Sequence, residues 1–435
     1  MGSIVTQASE RLNDVSDGPA LTVYRAVRAR SCGLVEPLEV EDLGVQPMAD
    51  ASPPKWHLAH TTWFFETFLL KPFQADYQPL DPRYEFLFNS YYNAVGRQFP
   101  RARRGQLSRP TVAEVMTYRQ HVDAAMERLL DSGGSDEVLR RLALGVNHEE
   151  QHQELLLTDL KYAFGHNPLH PVHPAATAQV SSPPAEKLTF TERPGGLVEI
   201  GREAGAGIGR SSFAFDNETP RHRVWLEPYR LADRCVTAGE YLSFMADDGY
   251  RRAELWLADG WSWLQAPGDA RVSAPLYWFE QDGMWWTYTL AGVQQVDPHL
   301  PVCHLSGYEA DAYARWAGCR LPSEAEWETA AMDAGADGAF LDDGGLHPAA
   351  QPAGALAAMH GNLWEWTGSA YGPDPGDRPP PGALGEYNGK FMANQLVLRG
   401  GSCATPRDHL RSSYRNFFYP PDRWQFTGVR LAQDA

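Results

Sequence analysis

The sequence has no cysteines paired at short spacing: Cys32, Cys235, Cys303, Cys319 and Cys403 are scattered and odd in number. That excludes a Cys-x-x-Cys zinc ribbon and argues against a disulfide framework, so a reducing compartment is the simpler setting. No apolar run is long enough to span a bilayer and no basic-then-apolar leader is present, so the expectation is a soluble, cytoplasmic chain with no membrane partner. Positive charge is short: Lys+Arg 38 against Asp+Glu 55 leaves a net charge of −17, which gives no overall field to attract nucleic acid. A fixed-period repeat is also missing, which sets aside solenoids and propellers.

What is present falls into three stretches. Residues 1–165 space their apolar side chains at three and four, which predicts helices over 21–32, 54–70, 111–131 and 135–164. Pro110 stands just ahead of the third, and Asp136 and Glu137 fill the first turn of the fourth, where the helix dipole favours them. Four such helices, with one long connection over 71–109, predict a four-helix bundle, a common home for a metal held by facing helices. Residues 166–187 place His166, His170 and His173 among prolines and predict a solvated linker. Residues 188–435 are short segments rich in Gly, Pro and Trp, which predicts an irregular α+β domain. Its helices are expected over 237–247, 306–316 and 323–332, the last with Ser323 as cap and Glu326 closing a capping box.

The chemistry concentrates in His148-Glu-Glu-Gln-His152-Gln-Glu154. At about 3.6 residues per turn, positions four apart share a helix face, so both imidazoles point one way. Paired imidazoles suit zinc, copper, nickel or non-haem iron. A second segment, Trp56-His57-Leu58-Ala59-His60, lies in an aromatic helical stretch and adds two more histidines.

Taken together, these features resemble a known family. The upstream His60 with the HxxxHxE pattern is similar to a DinB-type metal-binding bundle. Asp216-Asn-Glu-x-Pro220, Arg320-Leu-Pro-Ser-Glu-Ala-Glu-Trp-Glu328, Gly361-Asn-Leu-Trp-Glu-Trp-Thr367, Arg399-Gly-Gly-Ser402 and Gly428-Val-Arg430 resemble the formylglycine-generating-enzyme (sulfatase-modifying factor) fold, related to C-type lectins and low in regular secondary structure. The fusion of the two in this order resembles the iron-dependent sulfoxide synthases of ergothioneine biosynthesis, the hercynine oxygenases.

The resemblance implies an Fe(II) site with His60, His148 and His152 as ligands. It implies an oxygenase that joins a thiol sulfur to carbon 2 of the imidazole of hercynine (trimethylhistidine) and oxidises that sulfur to a sulfoxide. C–S bond formation and sulfur oxidation together release four electrons, enough to reduce dioxygen fully without another reductant. His57 is expected to pack or bond locally. Glu154 would complete a two-histidine, one-carboxylate triad, but it lies two residues past His152, about 200° around the helix. It is therefore expected to support the site, not to ligate.

By position in the family pattern, Gln151 and Asn416 are expected to contact hercynine. Phe417 offers an aromatic face to the trimethylammonium, with Phe418 beside it in the substrate loop and one of the two an ordinary core aromatic. Arg101 and Arg104 match the positions that hold the carboxylate of the thiol substrate. Two departures bear on the reaction. Relatives that use γ-glutamylcysteine carry an acidic residue and an additional arginine where this chain has Phe418 and Asp422, followed by Arg423. Cysteine is thus the expected thiol and γ-glutamylcysteine the alternative. Those relatives also place an acid tyrosine in the loop before the RGG strand, and residues 372–383 have none. Tyr91 and Tyr92 are the expected substitutes, one of them donating a proton or hydrogen atom to reduced dioxygen. Without such a donor, oxidation of the thiol to a sulfinate competes.

Other readings explain less. Formylglycine generation needs two reactive cysteines near the RGG segment, and only Cys403, expected to be buried in a strand, is there. A DinB-type thiol transferase using zinc or nickel accounts for the histidines but not for the C-terminal loop. A non-catalytic binding module leaves the ligand spacing unexplained. Sister enzymes that make 5-histidylcysteine sulfoxide or attach selenium to hercynine share the architecture. Asp216, Asn217 and Glu218 supply hard oxygens suited to a structural Ca(II), although such loops usually only turn.

Overall fold

The computed structural model describes residues 20–131, 133–178, 182–203, 212–266, 272–351, 354–386 and 388–435. The chain forms two compact units: Met1–His166 with Gly205–Asp216 and Arg378–Asn388, and Asn167–Ala204 with Asn217–Asp377 and Gly389–Ala435.

The first unit is helical. Its long helices, α1 (Ala20–Val35), α2 (Pro54–Phe65), α3 (Val112–Asp131) and α4 (Asp136–Gly165), lie where apolar spacing predicts them. α2 packs against α3 and α4, and α1 packs against α4. Of the residues of α2 only Lys55 is not buried, so this helix is the core of the bundle. It begins on Pro54, whose missing N–H is no loss in a first turn. Beyond Phe65 the helix does not continue regularly: Glu66–Leu70 is a π-helical turn, whose wider winding re-aims the side chains that follow. Glu66, buried there, accepts hydrogen bonds from Tyr77 Oη at 2.5 Å and Tyr118 Oη at 2.8 Å.

α3 opens with a capping box: the Thr111 N–H donates to Glu114 Oε2 at 2.6 Å and the Glu114 N–H to Thr111 Oγ1 at 3.2 Å. α4 is capped by Ser135, which accepts from the Val138 N–H. Three helices are pinned at the buried Glu149 carboxylate, which takes hydrogen bonds from Arg28 at 2.9 Å, Arg119 at 3.0 Å and Ser31 at 2.7 Å. At Gly145 a Cβ would stand 2.5 Å from Phe65 Cε1, so the glycine lets α2 and α4 close up just before His148.

The second unit is a set of small sheets. The strands β1 (Phe190–Arg193), β4 (Tyr229–Ala232) and β12 (Ala432–Asp434) form one, in the order β1-β4-β12. A two-stranded sheet pairs β2 (Gly196–Ile200) with β3 (His222–Leu226). A meander joins β5 (Trp278–Gln281), β6 (Met284–Thr289) and β7 (Gly292–Gln295). The largest sheet runs β10 (Asn416–Phe418), β9 (Leu396–Arg399), β8 (Trp364–Ala370) and β11 (Thr427–Gly428), with β8 and β11 parallel. The helices α5 (Ala238–Ala246), α6 (Gly307–Trp316) and α7 (Glu324–Ala331) each open with a capping box: Thr237 with Glu240, Ser306 with Glu309, and Ser323 with Glu326.

The sequence motifs of this unit are its internal fasteners. Arg399 is held by Glu324 at 2.8 Å and Glu328 at 2.9 Å, while Glu365 receives Arg430 at 2.8 Å and the indole N–H of Trp327 at 2.6 Å. Buried ion pairs of this kind define one arrangement in a domain with little regular structure.

Two expectations fail here. His173 is not in a solvated linker: it is buried, and its N–H donates to the Leu290 carbonyl at 2.7 Å. Tyr288 Oη donates to the Pro171 carbonyl at 2.6 Å, so the proline-rich segment lies along the meander, using backbone groups that prolines leave available. Cys403 is buried as expected, but in a turn after β9 and not in a strand. Among the described residues no helix is long and apolar enough to cross a membrane.

Candidate metal centre

His60 comes from α2, and His148 and His152 come from successive turns of α4. One nitrogen from each ring lies within 4.8 Å of the others, and Nε2 of His60 and Nε2 of His148 are 3.2 Å apart. Metal–imidazole bonds of about 2.1 Å at right angles would place neighbouring nitrogens about 3 Å apart. The His60–His148 separation matches that spacing, and three imidazoles are a donor set suited to a divalent transition metal.

Each ring is aimed from behind. His60 Nδ1 meets the Phe88 carbonyl at 2.6 Å. Its ring is sandwiched between Trp56 (centroids 4.6 Å apart, 12° between planes) and Trp63 (5.5 Å, 14°). The Arg104 guanidinium carbon caps this column 3.3 Å from the Trp56 centroid. Phe64 flanks His148 at 4.6 Å. His152 Nδ1 lies 2.9 Å from His57 Nδ1, and His57 Nε2 lies 3.1 Å from Asp159 Oδ2. His57 thus bonds across to α4, which corrects the expectation of a local contact: the side chain of a buried helix reaches its neighbouring helix more readily than its own backbone.

Burial holds the three imidazoles neutral, the form able to coordinate a metal. It lowers His148 to about 3 and takes His60 and His152 well below the usual histidine range, with the His148 ring pushing both further down. Glu154 is buried but is not part of the ligand group, as the helical geometry requires. Gln151 is half-buried on the same helix.

Arg104 is buried, and its hydrogen bonds go to hydroxyls: Ser52 Oγ at 2.9 Å and Ser90 Oγ at 3.1 Å. Burial, and then the charge of Arg101, push its guanidinium well below the normal arginine range. Arg101 is exposed and donates to the Asp50 carbonyl at 2.6 Å. Tyr91 stacks on Tyr92 at 4.8 Å, and Tyr92 is wholly buried against Phe68 and Trp63 at 5.1 and 5.6 Å. Burial raises the Tyr91 phenol, so at neutral pH it keeps its proton; Asp216, Arg101 and Arg104 are the charges that act on it. Glu386 grips the backbone just past the tyrosines, accepting the Asn93 N–H at 2.9 Å and the Ala94 N–H at 2.7 Å. Neither Glu386 nor Asp159 is marked by any local pattern in the sequence.

In the second unit, Asn416, Phe417 and Phe418 form β10 at the sheet's edge. Asn416 Oδ1 accepts the Phe417 N–H at 2.9 Å. Phe417 stacks on Tyr371 (4.0 Å, 10°), and Phe418 meets Trp424 edge-on at 6.0 Å, so both aromatics are packed. Asp422 closes a turn by accepting the Tyr419 N–H, and Arg423 is engaged by the Ala274 carbonyl at 3.0 Å and Glu309 at 3.3 Å. The carboxylates considered for calcium are tied to protein donors: Asp216 to Asn388, and Glu218 to Arg411 and Ser413. Among the described residues the three histidines are the one group of three or more His, Cys, Asp or Glu side chains gathered closely enough to share a metal ion.

Residues 24–157 match the DinB superfamily, and residues 181–357 and 350–435 match the sulfatase-modifying factor enzyme 1-like domain. The three-histidine bundle joined to that domain defines the class: a fused DinB and sulfatase-modifying-factor protein. The chain is 34% identical over 413 residues to a hercynine oxygenase of Mycolicibacterium thermoresistibile, covering 88% of each. It is 33% identical to a hercynine oxygenase of Mycobacterium tuberculosis, over 94% of this chain and 96% of that one. A formylglycine-generating enzyme of Streptomyces coelicolor is 30% identical over 60% of this chain and 95% of its own. The chain belongs to the hercynine oxygenase family, and it is accordingly an oxidoreductase of the oxygenase class.

Proposed function

We propose that this oxygenase is an Fe(II)-dependent sulfoxide synthase of ergothioneine biosynthesis, which joins the sulfur of cysteine to carbon 2 of the hercynine imidazole to give hercynylcysteine sulfoxide. The observation that carries this reading is the gathering of one nitrogen each from His60, His148 and His152 within 4.8 Å of one another. Iron bound there would supply a redox-active centre with up to three positions for thiolate, dioxygen and hercynine. The thiol and the imidazole C–H together give four electrons; one oxygen atom ends in the sulfoxide and the other in water.

The protein's own part is to bind, aim and deliver protons. Gln151 and Asn416 are the proposed hercynine contacts, with Phe417 as the aromatic face for the trimethylammonium and Phe418 beside it in the substrate loop. Arg104, a buried cation whose hydrogen bonds reach only hydroxyls, suits the carboxylate of the thiol, with Arg101 as the second arm. Tyr91 and Tyr92 are the proposed proton donors. Cysteine is favoured over γ-glutamylcysteine because Phe418 brings no charge and Arg423 is committed to Glu309. The five free cysteines support a reducing, cytoplasmic setting. We also take residues 1–165 and 188–435 as the two modules, with 166–187 between them.

Anaerobic reconstitution with Fe(II), followed by hercynine, cysteine and air, should consume dioxygen and give hercynylcysteine sulfoxide by mass spectrometry. γ-Glutamylcysteine in a parallel reaction should react more slowly. Absence of product with iron, together with thiol transfer by the zinc- or nickel-loaded protein, would establish the DinB-type transferase instead.

A further inference from the structure

Behind His152 runs a chain of buried polar contacts that ligation alone does not require. His152 Nδ1 is 2.9 Å from His57 Nδ1, His57 Nε2 is 3.1 Å from Asp159 Oδ2, and the same oxygen accepts the Ser52 N–H at 2.7 Å. His57 and Asp159 are each 4% exposed, so the chain is shielded from competing water.

The proton positions follow from the geometry. Nδ1 of His152 is engaged by His57, which leaves Nε2 as its ligand atom; the His152 proton then sits on Nδ1 and must be donated. The acceptor there is Nδ1 of His57, so His57 carries its own proton on Nε2, where it meets the Asp159 carboxylate. Every contact then has one donor and one acceptor, with both rings neutral. The opposite tautomer of His57 would set two N–H groups face to face and turn a lone pair toward the carboxylate. His60 is different: its rear nitrogen meets only a neutral backbone carbonyl, that of Phe88.

Helix geometry explains the reach of the chain. Asp159 follows His152 by seven residues, two turns along α4, and so lies on the same face. His57 precedes His60 by nearly one turn of α2 and fills the gap between them. Ser52 also accepts from Arg104 Nη1 through its Oγ, at 2.9 Å, so the far end of the chain touches the arginine assigned above to the thiol carboxylate.

We propose that Asp159 and His57 form a two-step positioning relay that fixes the tautomer and aim of His152 and strengthens its donation to the metal. The inference rests on the three-histidine reading of the site. Hydrogen-bonded supports of this kind typically change metal affinity by about 10- to 100-fold when removed.

The test uses the full-length protein with Co(II) as a spectroscopic probe, in Asp159→Asn, His57→Phe, the double variant and His152→Ala. Each relay variant should weaken Co(II) binding by about 10- to 100-fold and shift the ligand-field bands, while the metal-free unfolding midpoint stays near that of the parent. Because Asp159 acts through His57, the double variant should bind no more weakly than the weaker single variant. Losses that add, or single variants that bind within about twofold of the parent, overturn the relay. If His152→Ala itself leaves Co(II) binding and spectrum intact, the three-histidine reading fails and takes the relay with it. Should His57→Phe not fold, the isosteric Asp159→Asn decides the matter alone.

Discussion

Tyr91 and Tyr92 are neighbours in unlike surroundings: Tyr92 is walled in by Trp63 and Phe68, whereas Tyr91 stays partly open and feels the charges of Asp216, Arg101 and Arg104. If Tyr91 delivers the proton, Tyr91→Phe should divert turnover from the sulfoxide toward cysteine sulfinate, seen as a changed product ratio by mass spectrometry. Tyr92→Phe should leave that ratio closer to the parent's; no change in either variant would place the donor elsewhere. At this scale the sequence was legible where chemistry is local. The i, i+4 spacing of His148 and His152 is enough to predict two rings on one face. His57 and Asp159 were not legible as a pair, because their contact spans 102 residues of chain and depends on how closely two helices pack. Glu386 is a more extreme case, gripping Asn93 from 293 residues away.

Among the elements, α2 and α4 set the geometry of the centre, and Gly145 sets the distance between them. Gly145→Ala would gain about 1 kcal/mol of helix propensity. It would also drive a methyl group into the rings of Phe65 and Phe64, both wholly buried and without room to retreat. Overpacking of this kind costs about 1–3 kcal/mol, so a net loss of stability is expected in denaturant titration, accompanied by weaker metal binding. The helices themselves were readable because α1, α3 and α4 keep an apolar and a polar face. The π-helical turn after Phe65 was not, since α2 is buried nearly all round and an inserted residue disturbs no visible pattern. Short strands such as β11, two residues long, carry no periodicity to read. β11 takes its place by pairing with β8, Thr427 opposite Trp364 and Gly428 opposite Glu365, a contact between distant parts of the chain.

For the molecule as a whole, the order of the two modules was legible, but not that residues 212–216 and 378–386 fold with the first compact unit. Chain order and compactness are separate properties, and only the former is written linearly. Acid sensitivity should arise in the second unit, at Glu324. Burial opposes its ionisation, but Arg399 and Arg415 outweigh burial and hold its carboxyl below the normal value of 4.5. A carboxylate depressed in the folded state contributes stability at pH above its unfolded value, and that stability is lost as pH falls through the folded value. Thermal unfolding followed by near-ultraviolet circular dichroism should therefore show a falling midpoint below pH 4.5. Glu324→Gln should flatten that slope, while costing about 1–3 kcal/mol at neutral pH because Arg399 and Arg415 each lose one carboxylate and keep another, Glu328 and Asp374. The stack around His60 has a different kind of consequence. Trp56 and Trp63 are two of 14 tryptophans, and each lies in ring contact with a proposed metal ligand. A paramagnetic ion held there would drain excitation from those two indoles, whereas zinc, with its filled d shell, would leave them bright. Tryptophan emission of the purified protein should therefore fall on loading with a paramagnetic ion and hold on loading with zinc, which ties the optical signal to the place where the metal sits.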